Sequence, residues 1–578
     1  MRRVSVLIFA MLTVIILIFA GCSKDAFDPK EFTDGELNVT PNPNMFVRGL
    51  AEEGNVIFRP SGNGYRYGPT IFVNADNSID AWYAAPGGVG QWDWIYYRSS
   101  TDGGLTWSEE HVAIQGSTDS MDHYSTCDPG VVKIGDYYYL GYTSTIDLGG
   151  IANNAFVARS KKPEGPYEKW NGSGWGGDPW PIIYFDEDPT AWGCGELSFV
   201  VMGDKLHIYY TWTTKTVEGR TDMTTRVAIA DATDPNWPKT IEYVGIALDR
   251  NKYVADSIDV KYIEDFGKFV AVGTRDRFTD KGHVVVFESN DGVTFTETGT
   301  MKTNIAQYCH NAGISSRPNG HIRLSDPTYI SYGFGDKVPV WATMFQPVEW
   351  YLDDNPEDPE RKKRTEFVPF ELTVLDEFVG TALVVAPPII RVNENEIKAH
   401  IPLHWYDGWF RGEPLDPNIK GVKYYGYDKK VIKIKDGYIY PISPGVTKAY
   451  VELNGYRFDF KVHVFPAREE LSREKVVSVN PVHQEYKVSL NSNIPKNIRV
   501  LVKFEDYTWT ESELNKNVKD GSNKDGVDLI DVMSFSGFDE NIISVSLNGF
   551  ITPKAKGSTT VTVSYGGKST EVKVVVED

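Results

Sequence analysis

Cysteine is almost missing from this chain, with four in 578 residues. So few thiols exclude a disulfide-stapled scaffold. The spacing of Cys127, Cys194 and Cys309 is not that of a zinc site. Three is odd, so at most one bridge forms among them, and they read as small buried apolar residues. A cluster of Lys and Arg is missing too. The 59 basic residues are outnumbered by 79 acidic ones, for a net charge of −20. Phosphate contacts need clustered cations, so no nucleic-acid partner is expected. Beyond Ala20 no apolar run is long enough to span a bilayer.

What is plentiful is turn formers and aromatics. Gly (52), Pro (32) and an aromatic fraction of 13% suit short strands joined by many turns. The length predicts three or four units. At the N-terminus, Arg2 and Arg3 precede an apolar run from Val4 to Ala20, then Gly21-Cys22. A basic start, an apolar core and small residues before a break make a secretory signal over 1–21. The cysteine at the break resembles the bacterial lipobox. That resemblance implies cleavage before Cys22, lipidation of its thiol, and a protein tethered at the outer membrane or cell surface of a bacterium. A polar tether is expected over 22–52.

The middle of the chain repeats. Units open at Gly68, Asp128, Glu196, Asp256 and Asn311, spaced by 60, 68, 60 and 55 residues. Each holds three or four β-rich segments between turns, such as Val131-Val132, Tyr137–Tyr142 and Ala155–Arg159 in the second. A single sheet of this kind cannot cover both its faces, so the units must stack around an axis. The expectation is an all-β chain with a five-bladed β-propeller over 53–350.

Two turns, Ser100–Trp107 and Ser289–Phe295, match the Asp-box of sialidases and other propellers. Asp caps the turn, Gly takes the positive-φ position and the aromatic plugs the sheet edge, so these are structural. A charged stretch within 351–378 is a linker or a propeller-closing segment. Two similar segments, Val431–Pro441 and Ile543–Pro553, then stand 112 residues apart. Both read as strand, tight turn, short strand. They resemble bacterial immunoglobulin-like domains of the group-2 type, which implies two β-sandwich spacers at 379–466 and 467–578.

The heads of the innermost strands of a propeller converge on its axis. The repeat puts Asp128, Glu196 and Asp256 in one column, with Gly68 and Asn311 in the other two blades. Carboxyls brought together raise one another's pKa values. Cleavage of a glycosidic bond uses such a set, one carboxyl protonated and another ionised. Asp128-Pro129-Gly130-Val131-Val132 resembles the blade openings of five-bladed glycoside hydrolases of families 43 and 32. Gly195-Glu196-Leu197-Ser198-Phe199 resembles their third-blade motif. The resemblance implies Glu196 as general acid. Those families place an Asp in the first blade, where this chain has Gly68-Pro69, so the base or nucleophile is expected from Asp256 or Asp128.

Other residues carry two readings each. Arg66 resembles the arginine that opens sialidase propellers and would grip a substrate carboxylate, or it pairs with a neighbouring acid. His310 binds substrate, water or a metal, or is a hydrogen-bonded structural residue. Trp192, with Trp92, Trp175 and Trp180, offers a flat face to a sugar ring or only packs. No metal ligand set is legible, and an axial Ca²⁺ has no support in the motifs. The expected function is a surface-tethered glycoside hydrolase acting on a glycan. The alternatives are a sialidase-like exo-glycosidase, with Arg275 and Arg323 as weak further arginines, and a non-catalytic glycan-binding lipoprotein.

Overall fold

The computed structural model describes residues 43–577 except 51–54, 60–63, 88–90, 118–119, 146–150, 188–190, 216–220, 337–340, 354–367, 370–382, 385–389, 392–398, 401–402, 407–411, 454, 466–475, 482, 492–495, 505–507, 511–532 and 547–548. The expected signal segment, Cys22 and most of the expected tether lie outside the described residues. Among the described residues no helix is long and apolar enough to cross a membrane.

Five antiparallel sheets follow one another. Blade one is β3 (Tyr67–Val73), β4 (Ile79–Pro86), β5 (Asp93–Ser100) and β6 (His111–Ile114). Blade two is β7 (Cys127–Ile134), β8 (Tyr137–Ser144), β9 (Asn154–Ser160) and β10 (Glu168–Lys169). Blade three is β11 (Gly193–Met202), β12 (Lys205–Lys215), β13 (Thr221–Asp231) and β14 (Glu242–Asp249). Blade four is β15 (Asp256–Ile263), β16 (Lys268–Arg275), β17 (His283–Ser289) and β18 (Thr296–Met301), and the short β21 (His321–Ile322) adds in parallel to β15. Blade five is β20 (His310–Ile314), β22 (Thr328–Phe334) and β23 (Ala342–Leu352).

The outer strands of blade five come from the other end of the chain. Both β1 (Met45–Gly49) and β2 (Asn55–Phe58) pair with β23. This corrects the expected tether over 22–52, since 45–49 is part of the ring. Glu288, fully buried, accepts from the backbone N–H groups of Asn44 (3.1 Å) and Met45 (2.8 Å) and pairs with Lys268. The 351–378 segment contributes less to closure: β24 (Val368–Pro369) pairs in parallel with β19 (Thr303–Ile305).

The apolar core lies between blades. Phe72 and Trp82 of blade one pack with Val131, Leu140 and Phe156 of blade two. Val132 and Tyr139 pack with Phe199, Leu206 and Trp237. Val200 and Tyr209 pack with Val260, Phe269 and Phe295. Val270, Val272 and Val284 pack with Ile314, Ile330 and Tyr332. Ile71 and Tyr83 pack with Phe345, which closes the ring. Each blade therefore hides its two apolar faces only against its neighbours, as the repeat predicts.

The Asp-boxes lie on the outer hairpins. Asp102 accepts from the Thr106 backbone N–H at 2.9 Å, and Asp291 accepts from those of Val293 and Thr294 at 2.8 and 3.0 Å. Beyond the propeller, two successive β units have four-stranded sheets of the same order. In the first, Ile390–Arg391 lies parallel to Tyr456–Phe465, followed by Gly445–Leu453 and Lys423–Tyr425. In the second, Glu485–Ser489 lies parallel to Lys568–Glu577, followed by Gly557–Tyr565 and Ser534–Ser536. Each unit has its own apolar cluster.

Candidate functional site

A left-handed backbone residue stands near the head of every inner strand. These are Gly68 (φ 61°), Asp128 (49°), Glu196 (53°), Ser257 (49°) and Asn311 (48°). The pairing of each inner strand with its neighbour slips at that residue. Such a bulge re-aims one side chain, here toward the axis. Gly, Asp and Asn tolerate this conformation, whereas Glu196 and Ser257 each hold it at a cost of roughly 1–2 kcal/mol. The blade-four member of the column is thus Ser257, and Asp256 falls one residue short. This corrects the expected column.

Two connected concavities share Asp128, Glu196 and Asn311 in their linings. One runs along the axis past Gly68, Ser257 and Asp259. The other is a mouth of about 380 Å³, walled by Tyr67, Asp93, Asp128, Glu196, Arg277 and the aromatic rings of Trp92, Trp192, Phe278 and Trp341. Trp192 therefore stands where the sequence expects a sugar-facing aromatic. Its carbonyl accepts from both the backbone and the side-chain N–H of Asn153, at 2.9 and 2.8 Å, which fixes the loop that carries it. Trp92 is 46% exposed at the same rim.

Glu196 is held from three blades. Its backbone N–H donates to Thr143 Oγ1 at 2.8 Å. Thr211 donates to Oε2 and Ser257 to Oε1, both at 2.5 Å. Asn311 Nδ2 donates to Ser257 Oγ at 3.0 Å, and His310 Nδ1 lies 2.9 Å from Asn311 Oδ1. Because Asn311 presents its amide N–H to Ser257, its oxygen accepts, and Nδ1 of His310 carries the proton. A relay thus runs His310, Asn311, Ser257, Glu196. His310 is fully buried and lies outside both linings, so it reaches the site through Asn311. Burial lowers its pKa to about 4, which keeps the ring neutral.

Burial raises the Asp128 carboxyl to about 7, and the nearby Glu196 charge adds to the effect. The Cys127 thiol donates to Asp128 Oδ2 across 3.3 Å. Cys127 also lines the mouth, while Cys194 and Cys309 are buried, and all three are free thiols. Asp256 does not reach either lining. Arg250 binds its Oδ1 and Arg277 its Oδ2. It acts as counter-ion to Arg250, which donates to Thr211 Oγ1 at 2.9 Å and stands 3.7 Å from Glu196 Oε2.

Arg66 is not a substrate grip. It is 3% exposed and forms a two-pronged pair with Glu110, at 2.7 and 2.8 Å, while Nη1 donates to the carbonyls of Gly64 and Tyr65. Arg275 pairs with Glu297 and Arg323 with Glu264, and neither lines the mouth. The three arginines weighed for a sialidase-like site therefore do not converge. Asp93, which opens the third strand of blade one, was not singled out from the sequence. Its place in the mouth depends on where a non-inner strand begins, and no repeat position marks that.

No family model matches the chain, and no curated protein matches it. Among solved structures, the chain is similar to a family 117 glycoside hydrolase produced by the marine bacterium Zobellia galactanivorans, at 17% identity and a TM-score of 0.40, covering 56% of this chain and 96% of that one. It is also similar to an endo-arabinase from Bacteroides thetaiotaomicron, at 16% identity and a TM-score of 0.38, covering 52% and 99%. A third is the catalytic domain of a family 62 α-L-arabinofuranosidase from Coprinopsis cinerea, at 10% identity and a TM-score of 0.37, covering 53% and 96%.

Proposed function

We propose that this protein is a glycoside hydrolase that cleaves a glycan in the mouth of the propeller. One observation carries the reading: Asp128 and Glu196 line one aromatic-walled pocket, where burial, with the Glu196 charge added to it, favours a proton on Asp128 near neutral pH. Glycosidic cleavage needs that protonation state, with one carboxyl to protonate the leaving oxygen and one carboxylate to activate water or attack carbon. Burial places the proton on Asp128, while the family resemblance places it on Glu196. Trp92 and Trp192 suit the apolar faces of sugar rings.

The test is a reducing-sugar screen over a glycan panel with the wild type, Glu196→Gln and Asp128→Asn. Both variants should lose about 10²-fold or more in kcat. Whichever variant is spared on substrates with an activated leaving group is the one that lacks the acid. A wild type that binds glycans and never releases a product supports the non-catalytic alternative.

The surface location is part of the same proposal. Its support is the run Arg2-Arg3, Val4–Ala20 and Cys22. A lipid on Cys22 would hold the chain at a bacterial membrane, with the two C-terminal β units as immunoglobulin-like spacers. Cys22→Ser should move the protein from the membrane fraction to the soluble one.

A further inference from the structure

The first blade leaves a gap in the column of side chains, because Gly68 has none to offer. A carboxyl nevertheless stands on that side of the mouth. Asp93 opens β5 beside the end of β4, opposite Pro86, and lines the same pocket as Asp128 and Glu196. It is 3% exposed. Tyr65 donates to its Oδ1, and Tyr67, the residue just before Gly68, donates to Oδ2 at 3.3 Å. The other groups facing it are Tyr96, Ser125, Cys127 and Asp128. Among the described residues no Lys, Arg or His pairs with its carboxyl. Both of its oxygens thus have a tyrosine donor, and a buried acid beside a second acid, without a cation, is most stable when neutral, which leaves it one O–H of its own to donate.

We propose that Asp93 is a substrate-binding residue of this pocket, donating a carboxylic O–H to a hydroxyl or ring oxygen of the sugar. The inference rests on the glycoside hydrolase reading and adds to it a polar anchor on the side of blade one. Burial, and next to it the Asp128 charge, raise the Asp93 carboxyl to about 8, while the tyrosine hydroxyls pull the other way. At neutral pH it therefore holds its proton. A neutral donor here favours an uncharged sugar oxygen, which Asp93 can serve without moving a proton during the reaction.

Steady-state kinetics on a glycan that the wild type cleaves tests this with Asp93→Asn and Asp93→Ala. The Asn amide still donates, so its KM should stay within about threefold of wild type. Asp93→Ala should raise KM about tenfold or more and change kcat less. The wild-type KM should climb as pH passes about 8, and that climb should be missing in Asp93→Asn. Loss of kcat in Asp93→Asn by about 10²-fold would make Asp93 an acid or base of the reaction and overturn the inference. So would an unchanged KM in Asp93→Ala. If the alanine variant does not fold, the pH profile of the asparagine variant decides alone. A wild type silent on every glycan removes the hydrolase reading itself, an outcome distinct from an active wild type indifferent to position 93.

Discussion

Ser257 Oγ donates to Glu196 Oε1 at 2.5 Å, across the gap between blades four and three. Both residues are left-handed members of one column, so the bulge that strains each of them also aims each at the other. Ser257→Ala removes one of the two hydroxyls that fix the carboxyl. A hydrogen bond to a charged group is worth about 1.5–3 kcal/mol. We expect kcat to fall about tenfold, with KM nearly unchanged and the thermal midpoint lowered by a few degrees. Kinetics beside a thermal melt would show it; an unaltered kcat would mean that Thr211 alone orients Glu196.

Stability should depend on pH through Asp93 and Asp128. Their native carboxyls are raised to about 8 and about 7, so between an unfolded value of about 3.9 and these limits the folded state binds more protons. Their contribution is fully present below about pH 4 and is lost as pH rises through about 7 to 8. Asp93→Asn cannot ionise. The drop in thermal midpoint from about pH 6 to about pH 9 should be smaller in this variant than in wild type.

Ring closure should be sensitive to Glu288. Replacing it with Ala leaves Lys268 without its carboxylate, with only Asn44 Oδ1 at 3.0 Å to accept from it, and frees the N–H groups of Asn44 and Met45. Breaking a buried pair from one side costs about 3–5 kcal/mol. Denaturant unfolding should show a loss of this order, while kcat per folded molecule stays near wild type.

The same separation is expected of Arg66. Burial opposes ionisation of Glu110, yet Arg66 outweighs it and holds the carboxyl below its usual value, with Tyr83 also donating at 2.6 Å. Arg66→Gln should lower the melting temperature and leave KM for a neutral glycan unchanged. A large rise in KM with normal stability would restore a substrate contact for this residue.

The blades were legible because three or four β-rich segments recur between turn formers, and the period survives changes in loop length. The column was legible in four blades out of five. In blade four the strand reads Asp256-Ser257-Ile258-Asp259, and acidity pointed to Asp256. Matching the first apolar residue, Ile258 with Leu197, puts Ser257 opposite Glu196 instead. What the sequence withheld was position in space. Nothing local tells that Met45–Gly49 belongs to the last blade, that Arg66 finds Glu110, or that Asp93 enters a pocket built from other strands. Each depends on residues brought together by the closed ring.

The seam of the ring also decides how the molecule bears mechanical load. A pull on the chain ahead of Asn44 acts on β1, whose pairing with β23 extends from Met45 opposite Leu352 to Gly49 opposite Val348. Directed along the strand, such a pull loads all five residue pairs in shear; directed away from β23, it opens them one after another from Met45. An attachment at that end tugs on the latch itself, so the strength of the mooring and the integrity of the wheel become a single property.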